Sequence, residues 1–407
     1  MKSSARRGPN AASASAKPSP SKPPLDARSA KPSASTKTAP CCCAPKAAAS
    51  PPSPPGISCR IEITHLVNAH PLALKRLAFL DAARAISALL VFFQHDIDSL
   101  SPILAEQTRN GIGVGQIGVT CFFLISGFVI PYSLEQHGTI ARFAIARFFR
   151  LFPLYWTVIT LLFLLTLAGL PTLPPSFAQE LSWKSYFIHL TMLQGYLPMT
   201  DFLHLTWTLV TEIQFYILAA FLYWMNWKSL PRIIYSACAI VLLVAITAYV
   251  LHKRLPIYPV ALILTSLAGQ SVAAAWAGRI SPRACALAVL TIWSTSMLAI
   301  YLRILTSPYP VTIRGIMITW ILAYALFFAF FYVRHLPLSL LAYLGRISYS
   351  IYLIHPLIIW TLLAFLPPSW WTLPLALTLV IASSALTYHF IERPGIRFAK
   401  WLNQNRT

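Results

Sequence analysis

The sequence predicts an all-α protein, a polytopic transmembrane helix bundle of about ten spans with a disordered N-terminal tail. Three observations carry that expectation. The 407-residue chain is 57% hydrophobic, with a mean hydropathy of +0.64. Only 11% of its residues are charged, against about 25% in an average soluble domain. Apolar runs of about 20 residues, long enough to cross a hydrocarbon core, recur from residue 77 onward. A soluble enzyme of this length needs more polar surface to cover its core, so that class is excluded. The net charge of +21, taken alone, suggests a nucleic-acid binder. The placement of the charges argues against one.

The tail is assigned to residues 1–70 and the transmembrane domain to 71–400. Ten Lys and Arg face Asp26 alone within residues 1–60, which also hold 12 of the 32 prolines amid Ser and Ala. Side chains large enough to build a core are almost absent there, so ordering entropy goes uncompensated and the segment is expected to be disordered. It has no apolar stretch of signal-peptide type. It reads as a solvated cytoplasmic arm, or as a polybasic segment touching anionic headgroups. Cys41, Cys42, Cys43 and Cys59 lie in or near it. Cys121, Cys238 and Cys285 stand singly in apolar segments and read as small buried residues. With no C-x-x-C spacing, neither a redox pair nor a metal site is expected.

The spans are expected at 77–97, 112–133, 151–170, 203–225, 232–251, 257–277, 284–305, 311–333, 347–366 and 370–391. Segment 183–199 is apolar but short, and holds Lys184, His189, Gln194, Gly195 and Pro198. Charge asymmetry decides whether it crosses. With ten spans and the tail inside, the inner segments carry Arg142, Arg147, Arg150, Lys228, Arg279, Arg283, Arg334, Arg346, Arg393, Arg397, Lys400 and Arg406. The outer ones carry only Arg109, Lys184, Lys253 and Arg254. An eleventh span would invert the later segments. Ten spans with both termini cytoplasmic therefore fit, Lys253 and Arg254 excepted. Most of the remaining positive charge is thus a topology signal, and no nucleic acid is expected as a partner.

Ionisable groups inside a span are costly and mark candidate functional sites. In the first span, Arg84 and His95 are eleven residues apart, which places them within roughly 20° of one helix face and about 16 Å apart along the axis. Asp81 lies one turn before Arg84 and can pair with it. An interfacial His95 and a snorkelling Arg84 are the structural alternative. In the fourth span, Trp207-Thr-Leu-Val-Thr-Glu212-Ile-Gln-Phe-Tyr216 puts Glu212 and Tyr216 on one face with Thr208 beside them. Glu212 is expected to partner His95 or Arg84, either for general-base chemistry or as a structural ion pair. Arg147 and Arg150, one turn apart before the third span, suit phosphate or serve as a positive-inside anchor. Gly111, Gly113, Gly115 and Gly118 precede Ser126-Gly127, allowing close backbone approach or helix packing. They follow no strand, so a nucleotide fold is rejected. Ser348, Tyr349, Tyr352 and His355, with Glu392-Arg393-Pro394, could line a cavity or cap helices. His65, His70, His137, His189, His204, His252, His335 and His389 show no ligand spacing and read as surface or interfacial.

Together these segments resemble the acyltransferase 3 family of bacterial membrane O-acyltransferases that modify surface glycans. Leu80-Asp81-Ala-Ala-Arg84-Ala is similar to its L-D-x-x-R-A motif, and Arg84 to His95 has its Arg-to-His spacing. Phe122-Phe-Leu-Ile-Ser126-Gly127-Phe128 resembles F-F-x-x-S-G-F. Arg147-Phe-Phe-Arg150, with Pro153 and Tyr155, resembles R-x-x-R followed by P-x-Y. The segment Trp207 to Tyr216 resembles W-[ST]-L-x-x-E-x-x-F-Y. Ile347-Ser-Tyr-Ser-Ile-Tyr-Leu-Ile-His355-Pro and Ile391-Glu-Arg-Pro394 resemble its late motifs. Any one is weak; in order across residues 76–400 they are specific. Ala82-Ala83 and Thr120-Cys121 depart from the usual pairs.

The resemblance implies an O-acyltransferase of the inner (plasma) membrane. Its donor would be an acyl-CoA, often acetyl-CoA, used as co-substrate with no cofactor bound. Its acceptor would be a hydroxyl of a polysaccharide, lipopolysaccharide or lipid-linked glycan. It implies His95, Arg84 and Glu212 as catalytic, with His95 deprotonating the acceptor or relaying the acyl group, Glu212 orienting it, and Arg84 steadying the donor or an oxyanion. Arg147 and Arg150 would bind the donor. Asp81, Ser126, Trp207, Tyr216, Ser348, Tyr349 and His355 would support the site. A glycan or lipid transporter is the rival class, but it predicts pseudo-symmetric halves, and no internal symmetry is visible. A non-catalytic scaffold would have no need of intramembrane Arg84, His95 and Glu212.

Overall fold

The computed structural model describes residues 77–170, 181–197, 199, 201–203, 205–226, 229–306 and 312–405. The expectation of a disordered tail at 1–70 lies outside these residues. All regular structure among the described residues is helical. In chain order the helices are α1 (Ala78–Leu100), α2 (Pro102–Asn110), α3 (Val114–His137), α4 (Ile140–Leu167), α5 (Trp183–Leu190), α6 (Thr206–Trp224) and α7 (Leu230–Val250). They continue as α8 (Ile257–Trp276), α9 (Pro282–Thr306), α10 (Ile313–Tyr332), α11 (Ser339–Arg346), α12 (Ser348–Phe365), α13 (Thr372–Thr387) and α14 (Arg393–Gln404).

Nine described helices are long and apolar enough to cross a membrane. The protein is an integral membrane protein on that count and on the continuity of its apolar runs. The tenth expected span is α6, a helix of 19 residues. Glu212 and Gln214 lower its hydropathy, and it is the helix that delivers polar groups to the interior. Segment 183–199 does not cross. Its helix α5 has eight residues, about 12 Å of rise, less than half a hydrocarbon core.

Two boundaries differ from expectation. The basic segment before the third span is helical from Ile140, because Thr139 caps the helix by accepting the Arg142 N–H at 3.3 Å. Arg142, Arg147 and Arg150 therefore sit on α4 and not in a loop. The last span does not stop near residue 391. It passes through a π-helical turn at Tyr388–Glu392 into α14. Pro394 is tolerated there, since the first turn of a helix leaves its N–H groups unused.

The bundle is centred on α3, which packs along α1, α8 and α10. In lipid, close van der Waals packing of small residues draws helices together. A Cβ at Gly127 would lie 1.8 Å from the Ser266 carbonyl oxygen of α8, and one at Gly269 of α8 would lie 2.0 Å from that of Leu124. The two glycines thus admit each other's backbone. Trp320, Leu262 and Ala268 are buried in the same core. Leu243, Leu290 and Ile217 are exposed on the outer faces of their helices, where a bilayer would cover them. Cys121, Cys238 and Cys285 are buried free thiols.

Candidate active site

Two cavities lie among the described residues of the bundle, beside opposite ends of α1. The first, about 460 Å³, is formed where the start of α1, the second half of α3, the start of α4, and parts of α6 and α12 converge. It is lined by Asp81, Arg84, Ser126, Ser133, Arg147, Arg150, Glu212, Tyr216, Ser348, Tyr349 and Lys400, among others. The second, about 260 Å³, lies between the end of α1, α2, and the starts of α3 and α6. Gln94, His95, Asp98, Thr108 and Trp207 line it. Val119, Thr208 and Tyr352 line both.

In the first cavity, Arg84 donates to Asp81 across one helical turn at 3.0 Å. The pair forms as expected, with the carboxylate buried and the guanidinium reaching the cavity. Ser126 and Tyr216 both donate to the same oxygen of Glu212, at 3.1 and 2.5 Å. Gly127 is what brings α3 close enough to α8 to hold Ser126 in place. Arg147 donates to the Ser133 hydroxyl at 2.6 Å and stacks over Phe143 and Tyr216 at 5.3 and 5.7 Å. Cation–π contacts of this kind orient a guanidinium without neutralising it. Lys400 reaches the cavity from α14, which is tied to α4 by Asn403 donating to the Arg142 carbonyl at 2.9 Å. Arg84, Arg147, Arg150 and Lys400 thus face two acids, Asp81 and Glu212, so the cavity is cationic.

His95 lies in the second cavity, not the first. The expected partnership of His95 with Glu212 is not what the structure shows. Glu212 spends its hydrogen bonds on Ser126 and Tyr216. The ring beside His95 is His355, with centroids 5.4 Å apart. A helical wheel gives the face of a residue but not the neighbour that face meets, and Glu212 lies one turn further along α6 than Thr208, the residue at the wall.

His355 is fully buried and its Nδ1 meets the Ile351 carbonyl at 3.0 Å, which leaves Nε2 as an acceptor without a partner among the described residues. Trp207 packs edge-on against Tyr258 of α8. Tyr349 donates to the Leu151 carbonyl at 2.7 Å, pinning α12 to α4. Ser348 is buried against the first cavity. Ser350 donates to Glu392 at 3.2 Å, within the π turn.

Several site groups were not foreseen. Gln94 donates to Asp98 at 2.7 Å and to Thr108 at 2.9 Å, and Thr108 donates to Asp98 at 3.1 Å. This triad sits beside His95 on the wall of the second cavity. The four-residue spacing of Gln94 and Asp98 was a signal; Thr108 comes from the short α2 and gave none. His189, expected at a surface, is fully buried. Its Nε2 accepts the Phe202 N–H at 3.1 Å and its Nδ1 meets the Ser185 carbonyl at 2.8 Å, so the ring holds the segment before α6. Nearby, burial pushes the Asp201 carboxyl above its ordinary pKa, against the hydrogen bond from Thr206 and the attraction of His189. His137 lines the first cavity. Among the described residues, no three His, Cys, Asp or Glu side chains are placed to hold a metal.

The bundle thus holds a cationic cavity beside the start of α1 and a histidine-bearing cavity beside its end. The chain belongs to the acyltransferase 3 family, whose acyltransferase domain matches residues 77–389. It is similar to acyltransferase MdmB of Streptomyces mycarofaciens, 29% identical over 152 residues, which span 35% of this chain and 38% of that protein. It is also similar to Nodulation protein 10 of Rhizobium leguminosarum bv. viciae, 25% identical over 352 residues, covering 78% of this chain and 92% of that protein. No solved structure matches the chain significantly.

Proposed function

We propose that the protein is an O-acyltransferase that moves an acyl group, acetyl in the simplest case, from acyl-CoA to a hydroxyl of a polysaccharide, lipopolysaccharide or other glycan. The observation that carries this reading is the pair of cavities of opposite character that share one wall. Arg84, Arg147, Arg150 and Lys400 suit the phosphates and thioester of a CoA donor. Gln94, Asp98 and Thr108 supply the mixed donors and acceptors that sugar hydroxyls pair with. His95 stands beside them as the general base that takes the acceptor proton. On this reading the first cavity opens to the cytoplasmic face of the inner membrane, with both termini on that side; the basic helix ends support that orientation.

Glu212, held by two hydroxyls, balances the arginines around the donor and has no part in orienting His95. His355 takes that neighbouring position. No group beyond the two substrates is required, because ester exchange from a thioester needs only a base and a stabilised oxyanion.

The test uses membrane vesicles with radiolabelled acetyl-CoA, together with mass spectrometry of surface glycan from cells with and without the gene. A base-labile label in glycan, and loss of an ester from cells lacking the gene, are expected. His95→Ala should abolish both while the protein still inserts. Full transfer by that variant overturns the role of His95, and unchanged glycan in cells lacking the gene overturns the function.

A further inference from the structure

We propose that the Tyr352 phenol donates the hydrogen bond that stabilises the acyl carbonyl oxygen during transfer, at the wall where the two cavities meet. The inference rests on the acyl-transfer reading above. If the donor enters one cavity and the acceptor the other, the reacting carbon must sit at their shared wall. Val119, Thr208 and Tyr352 are the residues common to both linings. Val119 offers no hydrogen bond, so the two hydroxyls are the candidates.

Their geometry tells them apart. Thr208 donates to the Leu205 carbonyl, one turn back on its own chain, at 2.8 Å. A threonine has one hydroxyl proton. The 2.5 Å contact between Thr208 and Tyr352 is therefore bridged by the phenol's proton. Tyr352 is the donor and Thr208 the resting acceptor. The phenol is buried, and its ring is held edge-on by Phe122 at 6.0 Å and by His355 at 6.1 Å. Arg84, the oxyanion partner expected from sequence, is bound to Asp81 and lines only the first cavity. Tyr352 thus offers a fixed donor at the place where charge develops, in surroundings with little water to weaken it.

The step is as follows. The acceptor hydroxyl oxygen attacks the thioester carbon while its proton passes to the His95 imidazole. The carbonyl π pair moves onto oxygen, and the Tyr352 proton turns from Thr208 to that oxygen. The carbonyl then re-forms and the carbon–sulfur bond breaks. The departing thiolate takes the proton from His95, giving the ester and free CoA thiol. Tyr352 returns its hydrogen bond to Thr208, which is a positioning residue throughout.

The experiment compares Tyr352→Phe and Thr208→Val in the full chain, in membrane vesicles supplied with radiolabelled acetyl-CoA and the cell's own glycan. Tyr352→Phe should lower kcat by about 10²–10³-fold with the KM for acetyl-CoA within about twofold of wild type. Thr208→Val keeps the phenol and should retain kcat within about tenfold. Equal losses in both variants, with a raised KM, would mark a merely structural hydroxyl pair and overturn the proposal. So would a Tyr352→Phe variant with wild-type kcat. If Tyr352→Phe fails to reach the membrane, difluorotyrosine installed at position 352 replaces it. That side chain keeps the hydroxyl as a stronger acid, and should move the alkaline limb of the pH profile for kcat downward; an unmoved limb overturns the proposal. A wild type that transfers no label overturns the acyl-transfer reading and this inference with it. A wild type that transfers label beside an unimpaired Tyr352→Phe overturns this inference alone.

Discussion

Substituting Gly127 by Ala should unseat the helix pair on which both cavities depend. The new Cβ would lie 1.8 Å from the Ser266 carbonyl oxygen, 2.5 Å from its carbon and 2.8 Å from its Cα. All three are backbone atoms of α8, so no side chain can turn aside. Restoring ordinary contact requires α3 and α8 to separate by about 1.6 Å, and a gap of even 0.5–1 Å forfeits about a quarter to a half of each dispersion well along the seam. Overpacking in a well-packed core costs about 1–3 kcal/mol, and a rigid backbone obstacle belongs at the upper end. About 3 kcal/mol is a factor of roughly 150 in the folded-to-unfolded ratio, or about 6 °C in Tm for a domain of this size. Ser126 moves with its neighbour, so its 3.1 Å bond to Glu212 lengthens as well. The assay is thermal unfolding of the detergent-purified protein, followed by loss of the monodisperse peak, with Gly195→Ala as control because nothing lies within 4 Å of a Cβ there. A Gly127→Ala protein that melts within 1 °C of the control would refute the close-approach argument.

Four further outcomes are expected. Arg147→Lys should raise the KM for acyl-CoA about tenfold or more with a smaller change in kcat, since a lysine cannot both reach Ser133 and present a planar fork; this is read from initial rates against donor concentration. Glu212→Gln keeps an acceptor for Ser126 and Tyr216 but removes the charge, so activity should fall while Tm stays within about 2 °C, whereas Glu212→Ala should lose both. Arg279→Ala breaks the bidentate pair with Glu135 at 2.7 and 2.8 Å, but both side chains are about half exposed, so the stability loss should be at most about 1 kcal/mol and shrink in high salt. His189→Ala strands the Phe202 N–H in the interior and should cost about 2–3 kcal/mol, seen as a lowered Tm.

The helices were legible because each apolar run is a local property of the chain, and α1, α3 and α8 fall within a few residues of expectation. Pairs within one helix were legible for the same reason: Asp81 with Arg84, and Glu212 with Tyr216, follow from 3.6 residues per turn. Contacts between helices were not. Which groups Glu212 meets depends on how α6 packs against α3, where Ser126 reaches it, and no local pattern in the chain encodes that packing. The start of α4 was missed because Arg142, Arg147 and Arg150 read as loop charges, yet the heads of Arg147 and Arg150 enter a polar cavity while their stems pack. The π turn at Tyr388–Glu392 leaves no periodic signal, and only Glu392 hinted at it.

Under the function proposed above, two polar substrates must approach one point from opposite faces of the membrane without opening a pore. The arrangement of charge around the wall bears on how that is done. Arginines and carboxylates fill the first cavity, where Asp81 and Glu212 keep the cationic lining from repelling itself. The second cavity is lined by neutral groups apart from Asp98 and His95. Between them stand one valine and two hydroxyls that satisfy each other. A carboxylate at that wall would invite water from both sides, and its desolvation would cost several kcal/mol. An all-apolar wall would seal the bundle but give a developing oxyanion no partner. A tyrosine bonded to a threonine closes the wall at rest and releases one donor when a carbonyl arrives. On this reading, the position that separates the compartments is also the position where the bond is made, and the leak is stopped by the same hydrogen bond that the reaction borrows.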